Sequence, residues 1–188
     1  MTTLEDIQLD TDYSLATHRF LLLNHTFSNE PGPSPVIVLS YAHLLTFIGV
    51  CNDLIRCQKY IHDHKHKTIT LCIADRKMIE WNNTINVTDD NIRNVYIFCY
   101  LFENFVIMKQ WDGCYQHKIR DVYLPHQWER NLLKLGVDYI WQIRSEFKNE
   151  RGLYRKLTNQ ARELLRAFEN YLQHEIDDLD DPQSVENV

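Results

Sequence analysis

The chain has 188 residues and a mass of 22.5 kDa, with 44% hydrophobic, 12% aromatic and 24% charged residues, which allows one domain with a proper core and excludes wholesale disorder. Five glycines and five prolines, three of the latter within Pro31–Pro35, argue against sandwiches, barrels and glycine-rich phosphate loops and favour long helices. The net charge of −6 is carried by residues 175–188, where Glu175, Asp177, Asp178, Asp180, Asp181 and Glu186 have no basic neighbour; residues 1–174 balance 20 acids against 20 bases and lack the basic footprint of a nucleic-acid binder.

The acidic start, Met1–Asp6, has no features of a cleavable signal peptide. Arg19–His25 reads as a short helix or a strand, because periodicity cannot decide so short a run. Pro31-Gly32-Pro33-Ser34-Pro35 is a break or sharp corner, since proline removes donors and restricts the residue before it. The chain therefore divides into an N-terminal segment (1–35), a helical bundle (36–175) and an acidic disordered tail (176–188).

Within the bundle, Val36 to about His64 reads as a first long helix, apolar nearly all round as far as Cys51. Leu71–Trp81 reads as a short second helix. Thr88, followed by Asp89 and Asp90, is a good N-terminal cap for a third, which would run through Tyr96–Met108 and stop near Gly113. Pro125 fits the first turn of a fourth, striped by Trp128, Leu132, Leu135, Tyr139, Ile143 and Phe147. A fifth spans about Glu150–Glu175, with Leu153, Leu157, Leu164 and Phe168 inward and Arg151, Arg155 and Arg162 in water. The expected fold is thus all-α, a bundle of about five helices. Val36–Cys51 is the one candidate span, but its 16 residues fall short of the roughly 20 that a bilayer requires, so the helix is expected to pack in the bundle.

Side-chain chemistry is sparse. His62 and His66 would share a face of a continuing helix, yet no intervening glutamate or third ligand completes a zinc site. Glu103 stands alone on the most apolar stretch and is expected to be buried and hydrogen-bonded, with Arg144 as one candidate partner. Cys114 and His117 form a conceivable nucleophile pair in a loop. The five cysteines, odd in number and irregularly spaced, read as free thiols of a reducing compartment. No nucleophile elbow, Walker loop or dinucleotide fingerprint occurs.

Asp75–Trp81, Val95–Met108 with Glu103 at its centre, Trp128 and Tyr139–Arg144 together resemble a loose group of uncharacterised, mostly helical bacterial domains of unknown function, many with an N-terminal membrane span. The resemblance covers under half of the chain. It implies a helical bundle and brings no activity, cofactor or site. The functional expectation is a non-enzymatic helical interaction or scaffold module of the cytoplasm, engaging a protein partner or a second copy. The alternatives are a membrane-anchored version tethered by residues 36–51 and a metal- or thiol-dependent enzyme. No cofactor is expected.

Overall fold

Short apolar runs that would fit a buried helix equally well form strands instead. The computed structural model describes residues 7–23, 39–84, 90–111 and 116–180. Its elements, in order, are β1 (His18–Leu23), β2 (Ile48–Cys51), α1 (Leu54–Asp63), β3 (Thr68–Ala74), α2 (Asp75–Thr84), β4 (Ile92–Phe98), α3 (Phe102–Lys109), β5 (Ile119–Tyr123), α4 (Trp128–Arg144) and α5 (Arg151–Asp180), with short 3-10 turns between them. The strands form one parallel sheet in the order β2-β1-β3-β4-β5. The expected all-α bundle is therefore overturned. The fold is α/β, with the 2-1-3-4-5 strand order of a doubly wound parallel sheet.

The physical reason lies in burial on both faces. A central parallel strand is covered above and below, so it reads as a continuous apolar run rather than as an alternation. In β1 all six residues are buried, and in β3 all but Thr68. Isoleucines and threonines in Thr68–Ala74 favour the pleated surface. The supposed first helix contains a 3-10 turn at Ala42–Leu44, strand β2 and helix α1. The supposed second helix splits into β3 and α2, and the supposed third into β4 and α3. Thr88, Asp89, Gly113 and the proline break at 31–35 lie outside the described residues. Arg19–His25 resolves as strand over Arg19–Leu23. Among the described residues no helix is long and apolar enough to cross a membrane, and the candidate span is itself a turn followed by a strand.

Right-handed crossovers place the connections β2→β3, β3→β4 and β4→β5 on one face of the sheet. There Leu21, Leu23, Leu71, Ile73 and Ile97 pack with Cys57 and Ile61 of α1, Met78 and Trp81 of α2 and Met108 of α3. On the other face Phe47 stands edge-on to Phe20 at 5.3 Å and to Tyr13 at 6.4 Å, and Phe98 meets Trp128 at 4.7 Å.

The chain divides at the start of α4 into two compact units. The second unit is helical, as expected from its stripes. Arg130 near the start of α4 is paired with Glu175 near the end of α5 at 3.0 Å, so these helices run antiparallel. The last helix extends to Asp180, five residues beyond the expected end; residues 181–188 of the acidic tail are outside the described set.

Candidate functional site

At the amino ends of β3, β4 and β5 the connecting segments line an open cleft of about 430 Å³. Its first wall is made where α1 stops. The His64 backbone N–H caps the helix by donating to the Tyr60 carbonyl at 3.1 Å, and its ring Nδ1 donates to the same oxygen at 2.8 Å. Lys65, His66 and Lys67 follow. Lys67 is anchored, donating through Nζ to the carbonyls of Ser14 at 2.7 Å and Ala16 at 2.8 Å. The second wall leads into β4. Asn91 donates through Nδ2 to the carbonyls of Ile61 and His64, which ties this segment to the end of α1. Asp90 and Arg93 stand beside it. The third wall is His117, Lys118 and Arg120, with Arg120 Nε donating to Asn94 Oδ1 at 2.8 Å.

Five basic residues (Lys65, Lys67, Arg93, Lys118 and Arg120) thus line the cleft with one acid, Asp90, the Lys67 ammonium being held by the Ser14 and Ala16 carbonyls. The cleft carries a formal +4 from these six groups, which leaves −10 for the rest of a chain of net −6. Part of this is ordinary helix chemistry, because bases suit the carbonyl end of α1. That account covers Lys65–Lys67. It does not reach Arg93, Lys118 or Arg120, which belong to the entries of β4 and β5. Like charges gathered in a concave wall focus a positive potential and favour an anion there.

The opposite end of the sheet carries a different network. In doubly wound sheets the carboxyl ends of the strands at the switch point, here β1 and β3, form the usual ligand crevice. Asp75 sits there, directly after β3, and is only 1% exposed. One carboxylate oxygen accepts from the Arg76 backbone N–H at 2.8 Å and the other from Asn104 Nδ2 of α3 at 2.7 Å. The nearby Cys99 thiol is pushed up to about 12 by burial and by the Asp75 charge, against the pull of Lys109. A satisfied carboxylate beside a protonated thiol fixes the β3–α2 corner to α3 and offers no nucleophile. The β1 side of the switch point, residues 24–38, lies outside the described residues.

The residues singled out from sequence are dispersed. Glu103 is exposed in the first turn of α3, not buried: the apolar stretch around it is half strand and half surface helix, and its charge suits the helix start. Arg144 stacks on Trp141 at 4.1 Å and Tyr154 at 4.7 Å and donates to Thr158 Oγ1 at 3.4 Å, all within the helical unit. The helix carrying His62 ends at Asp63, so His66 is not on its face; His66 lines the basic cleft instead. Cys114 is outside the described residues, while His117 lines the cleft. Among the described residues no group of three or more His, Cys, Asp or Glu is placed to hold a metal ion. Sequence reasoning missed Arg93, Lys118 and Arg120 as a set. Their signal was present: each base stands just before or within the start of an apolar run, but it acquires meaning only once those runs are aligned as parallel strands.

Comparison of the chain with family models, with curated proteins and with solved structures finds no match.

Proposed function

We propose that the protein is a non-enzymatic binding module of the cytoplasm whose basic cleft receives a compact polyanion, a small molecule bearing two or more phosphate groups. The observation that carries this reading is the gathering of four bases, besides the anchored Lys67, with one acid along an open cleft of about 430 Å³. A net charge of −6 over the whole chain disfavours an extended polyanion such as nucleic acid. Free thiols at Cys51, Cys57, Cys72 and Cys99 support a reducing compartment.

Calorimetric titration of the full chain with inorganic tripolyphosphate tests it. Binding is expected to weaken steeply as salt rises. The double variant Arg93→Ser, Arg120→Ser should raise Kd by about tenfold or more, equal to about 1.4 kcal/mol. No measurable heat, or equal affinity in the double variant, would discard the reading.

A second reading, a module that associates with itself or with another protein, draws on an apolar run left exposed at α3. Phe102 is 64% and Ile107 57% exposed, with Leu101 and Val106 beside them. Sedimentation velocity over a hundredfold concentration range should show self-association that Phe102→Ser abolishes. A monomer throughout removes the self-association half of this reading.

A further inference from the structure

A two-residue turn, Asn52-Asp53, joins β2 to α1 and brings two cysteines together. Cys51 ends β2 and shares with Gly49 the sheet face that α1 covers. Cys57 lies in the first turns of α1. Asp53 holds that start in place: its carboxylate accepts from the Arg56 N–H at 2.7 Å and its carbonyl from the Cys57 N–H at 3.0 Å. Cys57 is fully buried in the core cluster against which the partly exposed Cys51 packs, and both are free. A disulfide between them asks for sulfurs at roughly 2.05 Å, across a connection of five residues (52–56) that turns from β2 into α1.

The surroundings treat the two thiols unequally. The hydrogen bond from Cys57 favours the Cys51 thiolate and, with help from Arg19 and against burial and Asp53, holds Cys51 below the ordinary thiol range. The same bond, together with burial, pushes Cys57 up. Arg19 is the independent sign that this place is built for negative charge. It points from β1 onto the same sheet face and is only 4% exposed, and its Nε and Nη1 are buried without a hydrogen-bond partner. A buried guanidinium in that state is costly unless an anion stands near. Arg19 Nη2 reaches along the sheet to Gly49, where an added Cβ would meet it at an ordinary contact of 3.7 Å and crowd Leu21 Cδ2 at 3.1 Å. Cys72 shows the contrasting, inert case. It lies fully buried within β3, and burial alone raises its thiol.

We propose that Cys51 and Cys57 are a redox-active dithiol that a hydroperoxide converts to an intramolecular disulfide, with Arg19 as the positioning residue that favours negative charge on Cys51. The site is separate from the basic cleft and does not rest on the anion-binding reading. In the first step the Cys51 thiolate attacks one peroxide oxygen. A sulfur–oxygen bond forms, the O–O bond breaks, and the departing alkoxide takes up a proton as an alcohol (or, from hydrogen peroxide, hydroxide leaves as water). Cys51 is then a sulfenic acid. In the second step Cys57 gives up its proton and attacks the Cys51 sulfur; the S–S bond forms and hydroxide leaves as water. Together, two thiols and one hydroperoxide yield one disulfide, one alcohol and one water, the peroxide being reduced by two electrons. An external dithiol reverses the change by exchange and is itself oxidised to a disulfide.

The experiment is peroxide treatment of the full chain, quenching by thiol alkylation, and tryptic mapping without reduction. Cleavage after Arg19, Arg56 and Lys59 releases Phe20–Arg56 and Cys57–Lys59 as separate peptides, so the disulfide appears as a unique linked pair. The linked pair is expected in the wild type and absent from Cys51→Ser and Cys57→Ser. In Cys57→Ser the reaction should stop at a Cys51 sulfenic acid, trapped by dimedone. Arg19→Gln should slow the reaction severalfold at neutral pH, and Arg19→Lys should restore most of the rate. Both thiols remaining alkylatable after peroxide, or a disulfide joining Cys51 to any other cysteine, overturns the proposal. So does dimedone labelling that spares Cys51 in Cys57→Ser.

Discussion

The two units of this chain use the same residue types to opposite effect. In the C-terminal unit a leucine's neighbour is often wet: Leu164 of α5 is fully buried, while Leu165 is 42% exposed. In the sheet, neighbours share the same fate: Leu21, Leu22 and Leu23 are all buried in β1, on alternating faces. A helix at the edge of a unit shows water one side and keeps a stripe. A central parallel strand shows water neither side and keeps none. The difference teaches that an unbroken apolar run signals two-sided burial, and says nothing about helix or strand until its length and flanks are weighed.

The sharpest way to break this comparison is a pair of alanine substitutions in each unit, followed by chemical denaturation. Leu22→Ala and Leu23→Ala should each cost about 2–5 kcal/mol, because each leaves a cavity on its own face of the sheet. Leu164→Ala should cost a similar amount, but Leu165→Ala less than about 0.5 kcal/mol, as expected for a surface position. Equal costs for Leu164 and Leu165, or a tolerated change at either strand leucine, would contradict the burial pattern.

The corner where strand gives way to helix is sharpened by Asp75→Ala. Its removal leaves the Arg76 N–H and Asn104 Nδ2 without their acceptor and should cost roughly 1–3 kcal/mol, with α3 losing amide-exchange protection before the rest of the sheet. Unchanged protection in α3 would show that Asn104 does not depend on this bond. The smallest effect belongs to Glu103→Ala. An exposed carboxylate in the first turn of α3 interacts with the helix dipole for about 0.3–1 kcal/mol, and the melting temperature should fall by no more than a few degrees. A loss as large as that of Asp75→Ala would return Glu103 to the buried role its surroundings in the sequence suggested.

Arg144 shows how a correct element still hides a contact. The fourth helix is legible from its stripe, and it forms close to where Pro125 places it. Yet the partners of its arginine are decided by how the chain turns back after Phe147, which sets Tyr154 and Thr158 beside it. The cysteines show the same limit more strongly. Five irregular thiols carry no spacing rule, and only the two-residue turn after β2 singles out Cys51 and Cys57.

By itself the sequence determined those properties that reside in one face of one element. The amphipathic stripes of α4 and α5 are of this kind, as are the globular composition and the segregation of net charge into the last fourteen residues. Only the tertiary structure decided the rest. The apolar runs of β1 and β3 become strands because parallel partners satisfy their backbone N–H and C=O groups and because both faces are covered, neither of which is a local property. The basic cleft follows from that register: Lys67, Arg93 and Arg120 are far apart in the chain, and become neighbours because β3, β4 and β5 start side by side at one end of the sheet.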